Sequence, residues 1–449
     1  MVDRSALAAP LRAATEAGDV PGIVAAAGTA DDVLFDAAFG QRDVQTGTAM
    51  TTDTVVWIAS MTKAMTAACA MQLVEQGRLS LDGDIAGVLP ELGRVQVLEG
   101  FDAGGRPRLR APKGPITLRQ LLTHTAGYAY DMWNPDILRY MQDTGTPGII
   151  SCRDAALTLP LIADPGTLWS YGISIDWAGK AVEAVTGQTL AAYMHDHLLQ
   201  PLGMTDTAFR IGASQRERLA RVHVRGPDGL LPIDMEIPQE PEFHMGGGGL
   251  YSTAGDYLKF ARMILGRGAL NGVRVLQPET VAAMAGNAMG NLRCTPMVSA
   301  VPNATNDVPF VEGMQWGLSF MINPAPLPTG RSAGTGTASA TLTSETETSS
   351  PACCEYANNA CRTSPCTASR RHRSRNREGT LSAGHASSEM FSSFTDASPP
   401  VRSTRPSSTI PRRSPDTAGV RPISCSLTVK LVRPSSDGIS APAMGITAS

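Results

Sequence analysis

The chain has 449 residues, a formal net charge of −3 and an apolar content of 42%. That length holds one large domain or two ordinary ones, and the apolar share is enough for a sizeable core. The near-neutral charge balance leaves no electrostatic footprint for nucleic acid or a membrane surface, so neither is expected as a partner.

The opening stretch, MVDRSALAAPLRAATEAGD, is broken by Asp3, Arg4, Arg12, Glu16 and Asp19 before any apolar run reaches the length of a signal-peptide core. It reads instead as an amphipathic helix with Leu7, Leu11 and Ala14 on one face. No later stretch has the roughly 18 uninterrupted apolar residues of a membrane span, so the expected location is cytoplasmic. GIVAAAGT and VLFDAAFG, separated by ADD, read as a strand hairpin.

WIASMTKAMTAACAMQLVEQGRLSLDGD, residues 57–84, places Ser60 and Lys63 three apart, one turn of helix on the same face. A helix beginning at Ser60 puts the hydroxyl at its positive end, with Lys63 reaching back toward it. A serine needs a neighbouring base to act as a nucleophile, and a lysine serves only if its surroundings lower its pKa. MTKAMTAACAM suits a helix buried all round, where an unpaired lysine is costly. The spacing alone arises by chance about once in a chain this long, so a coincidental pair and a catalytic pair both stay open at this point.

TLRQLLTHTAG, ISIDWAGKAVEAVTG and GDYLKFARMILGRG have helical spacing and end in glycine. His124 within the first reads as a residue that turns the chain near the serine. Trp133, Trp169 and Trp177 fit either an acyl pocket or core packing. His195 and His197 are two apart and point apart on a helix, and Cys69, Cys152 and Cys294 form no CxxC pair, so no metal site is expected. GGGG at 246–249 lacks the Gly-Lys-Ser/Thr of a phosphate loop. It reads as a tight loop against the serine, leading into a helix capped by Thr253 with Asp256 three residues on. MQWGLSFMIN reads as another strand.

The text changes near residue 334. Ser, Thr, Pro, Ala and Arg dominate, and all five tryptophans precede it. Such a segment buries too little apolar surface to offset its conformational entropy. Three readings stay open: a disordered appendage, an arginine-rich arm at RRHRSRNR, or a shifted reading frame of a GC-rich gene. After MQWGLSFMIN nothing reads as a strand.

The ordered set of motifs resembles the serine β-lactamase and penicillin-binding-protein superfamily, most of all class C β-lactamases and the family VIII carboxylesterases. The serine–lysine helix, ITLRQLLTHTAGY (116–128), DPGTLWSYGISIDWAGKAVEAVTG (164–187), LLQPLGMTDTAF (198–209) and GGGGLYSTAGDYLKFARMIL (246–265) follow in the family's order over most of residues 5–325. The resemblance implies Ser60 as nucleophile, Lys63 as its partner and Tyr171 as the tyrosine that acts as base and then acid. A nearby ammonium favours a phenolate, so a lysine–tyrosine pair can take the serine proton near neutral pH. Two departures stand out. Ile173 occupies the position where β-lactamases usually carry asparagine, which weakens β-lactam recognition. The strand bearing Lys-Thr-Gly or its esterase variants, which supplies one oxyanion-hole donor, is not recognisable.

The resemblance implies an α/β (α+β) fold of class C β-lactamase type, with an antiparallel sheet flanked by helices beside a mostly helical lobe. Residues 1–79 and 221–330 are assigned to the α/β lobe, 80–220 to the helical lobe and 331–449 to the atypical tail. The expected function is hydrolysis of short-chain carboxylic esters through an acyl-enzyme on Ser60, acting on a small-molecule ester, with no cofactor and no metal. The alternatives are a β-lactamase or D,D-peptidase, and an inactive member lacking its third active-site strand. The oligomeric state stays open.

Overall fold

The computed structural model describes residues 3–226, 229–302, 304–310 and 313–323 in full. It also describes the strand backbones Gly336–Ala340, Arg421–Ile423, Leu427–Leu431 and Met444–Ala448. The Ser/Thr/Arg/Pro-rich tail expected from residue 331 lies, apart from these strands, outside the described residues.

Helix α1 spans Arg4–Glu16, capped by the Asp3 carboxylate, which accepts from the backbone N–H groups of Ser5 and Ala6. Its Leu7, Leu11 and Ala14 pack on Ile23, Ala25, Phe35 and Phe39 of the hairpin behind it. That hairpin is β1 (Gly22–Gly28) and β2 (Val33–Asp43), antiparallel with Ala25 opposite Ala37. The alternate residues of β1, Val24 and Ala26, join the main core. A strand covered on both faces needs an unbroken apolar run, which is what GIVAAAG supplies.

Both strands belong to one eight-stranded antiparallel sheet. Six further short strands complete it: Thr48–Ala49, β3 (Gln315–Trp316), β4 (Met321–Ile322), β5 (Gly336–Ala340), β6 (Leu427–Leu431) and β7 (Met444–Ala448). The order is β3-β4-β5-β6-β7-β1-β2, closed by Thr48–Ala49. Two expectations are corrected here. MQWGLSFMIN forms a hairpin of two strands, because the chain turns at Gly317, whose N–H donates to the carbonyl of Phe320 at 2.7 Å. A Cβ on Gly317 would lie 2.2 Å from the carbonyl oxygen of Met284, so only glycine fits this turn. A strand also does follow: β5, with sequence GTASA, pairs with β4 through Met321 opposite Thr337. Small residues carry no apolar alternation, so the periodicity that reveals most strands is silent there.

Helix α2 (Thr62–Glu75) is buried all round, every residue from Thr62 to Leu73 included. Residues 80–220 hold α3 (Leu118–Leu122), α4 (Ser174–Thr186), further short helices and a hairpin of Val97–Phe101 with Pro107–Arg110. Helix α4 packs on α2, and Gly179 makes room for Leu190 beside them; a Cβ there would lie 2.9 Å from the Leu190 side chain. Helix α5 (Ala254–Leu265) begins at its Thr253 cap, whose hydroxyl accepts from the Asp256 N–H, and packs against β1.

Candidate active site

Ser60 lies in a 3-10 turn, Ala59–Met61, that leads directly into α2. The turn is held from several sides. Ile58 donates its N–H to the carbonyl of Leu250, the Tyr257 hydroxyl donates to the carbonyl of Met61, and the Thr62 hydroxyl accepts from the Leu250 N–H. Ala59, just before the serine, has a φ of 41°, a left-handed conformation that a residue with a Cβ enters at a cost. The packed surroundings enforce it, and the half-buried Ser60 hydroxyl is presented at the start of the helix.

Lys63 is 3% exposed. Burying an ammonium is tolerable only when its donors are met, and all three are. The Nζ donates to Ser60 Oγ at 2.9 Å, to the Tyr130 hydroxyl at 3.1 Å and to the carbonyl of Gly247 at 2.7 Å. It also lies 4.7 Å from the ring centroid of Tyr171 and 5.3 Å from that of Tyr130, within cation–π range.

Ser60, Lys63 and Tyr171 are thus brought to one place. Tyr171 meets the ammonium through its ring, and the phenol hydrogen-bonded to Lys63 is that of Tyr130, a residue the sequence reading passed over. The two phenol rings are 5.5 Å apart. Tyr130 is buried, and its hydroxyl is held well above the ordinary phenol value by desolvation first and then by the negative charge of Asp176. It is therefore a neutral phenol at working pH. Tyr171 is half-buried and packs against both the main core and a second apolar cluster of Trp169, Met289, Cys294, Met314 and Trp316.

The backbone carrying Tyr171 is zipped to the segment after α3. Ser170 donates its N–H to the carbonyl of His124, Gly172 donates to His124 Nδ1 at 3.4 Å, and Tyr130 donates to the carbonyl of Tyr171. His124 itself is fully buried, has a φ of 58° and lies against the Tyr171 ring, centroids 4.5 Å apart and planes tilted by 42°. Burial, with the Lys63 charge added, holds its imidazole well below the usual histidine value, so it stays neutral. It turns the chain and seats Tyr171. Trp133 and Trp169 surround Tyr171 at 6.0 and 6.2 Å, whereas Trp177 belongs to the main core.

The GGGG loop is a close-packing device. Gly246 abuts Thr66 and Leu190, Gly247 abuts the Asp176 carboxylate, and Gly249 abuts Phe209; a Cβ on any of them would meet its neighbour at 3.1 Å or less. The loop delivers the Gly247 carbonyl to Lys63 and the Gly246 carbonyl to the Thr66 hydroxyl, 2.8 Å away. On the other side of Ser60, the backbone of β5 lies against the Ala59–Met61 turn. Among the described residues, no group of three or more His, Cys, Asp or Glu side chains is arranged to hold a metal, and no helix is long and apolar enough to cross a membrane.

A serine at the head of a buried helix, a lysine one turn on, two phenols about the amine and a strand of the antiparallel sheet beside the serine fit the active site of the β-lactamase fold. The Beta-lactamase family model matches residues 7–345, and the chain belongs to that family. Its relatives include the monacolin J acid methylbutanoyltransferase of Aspergillus terreus, 35% identical over 308 residues that make up 63% of this chain and 72% of that protein. The lovastatin esterase of Penicillium rubens is 35% identical over 286 residues, 61% of this chain and 70% of that protein. Among solved structures, unliganded simvastatin synthase from Aspergillus terreus superposes with a TM-score of 0.63 at 30% identity, covering 75% of this chain and 87% of that one. The chain is therefore placed in the serine hydrolase and acyltransferase superfamily.

Proposed function

We propose that this protein transfers the acyl group of short-chain carboxylic esters through an acyl-enzyme on Ser60, with water as the ordinary acceptor. The observation that carries the reading is the 2.9 Å contact between Lys63 Nζ and Ser60 Oγ at the mouth of a buried helix. Ser60 Oγ attacks the ester carbonyl while its proton passes to the Lys63–Tyr171 pair. The carbonyl oxygen becomes an oxyanion, received by the Ser60 N–H and a backbone donor of β5. Collapse expels the alkoxide, which takes a proton back, and leaves the acyl group on Ser60. Water, activated by the same pair, then releases the acid.

A second reading is favoured by a specific finding: a relative at 35% identity is named a methylbutanoyltransferase. In that case an alcohol replaces water in the second half-reaction, with no other change in the chemistry. The rival β-lactamase reading has Ile173 against it, where an amide would be needed. The test is p-nitrophenyl butyrate hydrolysis by the full chain, with and without an added primary alcohol, beside a chromogenic cephalosporin. Release of nitrophenol with slow or absent cephalosporin turnover supports the esterase reading, and a butyrate ester of the alcohol supports acyl transfer. Rapid cephalosporin turnover without ester cleavage overturns both.

A further inference from the structure

Asp176 is 1% exposed, one turn into α4, in an otherwise apolar stretch between Ile175 and Trp177. Its Oδ1 accepts the N–H of Gly247 at 2.8 Å, and the carbonyl of that same residue accepts from Lys63 at 2.7 Å. Among the described residues, its Oδ2 has no hydrogen-bond partner. Among the described residues, no arginine or second lysine pairs with it, and the charged and titratable groups that face it are Lys63 on α2, Tyr130 after α3, and Cys152. The carboxylate lies so close to Gly247 that a Cβ there would sit 2.7 Å from Oδ2 and 3.0 Å from Oδ1.

We infer that Asp176 is a positioning residue for the Ser60 reaction: it holds the backbone of Gly247, whose carbonyl receives Lys63, and supplies the buried countercharge to the Lys63 ammonium. The carboxylate touches no reacting atom. It acts through one residue's backbone: the carboxylate holds the N–H of Gly247, and the carbonyl of Gly247, in the next peptide unit, receives Lys63. Its negative charge stabilises the ammonium and opposes a phenolate beside it. Desolvation raises the Asp176 carboxyl to about 6, the Lys63 charge working against the rise, so above that pH the countercharge is in place. The inference rests on the Ser60 acyl-enzyme reading.

Asp176→Asn keeps an oxygen for the Gly247 N–H and removes the charge. Losing a negative charge beside the amine disfavours the more positively charged form of the cluster, so a proton leaves it more readily. The acidic limb of the kcat/KM profile for p-nitrophenyl butyrate is therefore expected to move down by about one pH unit, with KM little changed. A merely structural role lowers kcat and leaves the limb in place. Gly247→Ala, which drives the carboxylate off by its added methyl, is the second variant and is expected to lower kcat without raising KM. Ser60→Ala is run in parallel. Residual Ser60→Ala activity sinks the nucleophile reading itself, whereas an unmoved limb in Asp176→Asn, or a Gly247→Ala enzyme with wild-type kcat, overturns only the role of Asp176.

Discussion

Lys63 and Tyr130 are joined by a 3.1 Å hydrogen bond from a fully buried amine to a fully buried phenol, while the ring of Tyr171 lies beneath the same amine. The two tyrosines therefore do different work. Tyr130, held neutral by desolvation, hydrogen-bonds the amine; Tyr171, half-buried, carries the proton transfer in the proposed mechanism. Tyr171→Phe is expected to lower kcat for an activated ester by about 10²–10⁴, the usual worth of a general base. Tyr130→Phe removes one charge-assisted hydrogen bond, about 2 kcal/mol, and is expected to cost roughly thirtyfold or less. The reverse order of severity would transfer the base role to Tyr130.

Gly172 makes a sharper structural test of how Tyr171 is held. A Cβ on Gly172 would lie 2.5 Å from the Tyr128 carbonyl oxygen, and backbone there cannot swing aside. Gly172→Ala is expected to destabilise the fold by about 1–3 kcal/mol, as overpacking does, and to displace Tyr171 with it. Urea unfolding combined with ester turnover of the folded fraction checks both halves; a stable and fully active variant would show that this backbone contact does not position the phenol.

His124 sets a sign for the pH dependence of stability. Its folded-state pKa lies well below the ordinary value of about 6.5, so below that pH the unfolded chain binds a proton that the folded protein refuses. Stability from this group is present above about 6.5 and falls as pH falls below it. Asp176, raised to about 6, acts in the opposite sense, losing stability as pH rises from about 4 to about 6. The difference between wild type and His124→Gln isolates the histidine. In urea melts between about pH 5 and 8, the wild type is expected to lose stability on acidification and the variant to lose less. Parallel curves would contradict the buried, neutral state of His124.

Much of this was legible in the residues. The N-terminal helix follows from an apolar period of 3.6, its hairpin from two short apolar runs parted by a polar turn, and the Thr253 cap from its side-chain chemistry. The serine–lysine helix shows itself by being mostly apolar on every side, with Lys63 as its one charge before the last residue. Other parts carry no such signal. Tyr130 lies two residues past a recognisable segment and close to a second tyrosine, Tyr128, that is buried elsewhere; nothing local says which of the two reaches the amine. Asp176 does leave a trace, a carboxylate in a run of buried helix residues, but its partner is a backbone N–H seventy-one positions away. The strand β5 consists of small residues, and its place beside Ser60 is decided by pairing with β4, which one sequence segment cannot report. The split of MQWGLSFMIN into two strands was signalled by Gly317 alone.

The central claim is that Ser60 becomes acylated. Intact-mass and peptide mass spectrometry of the full chain, quenched soon after mixing with p-nitrophenyl butyrate or treated with a fluorophosphonate, tests it directly. The expected result is one added acyl or phosphonyl group on the peptide containing Ser60, absent in Ser60→Ala and strongly reduced in Lys63→Ala. A label on another residue, or ester hydrolysis that persists undiminished in Ser60→Ala, would contradict the account.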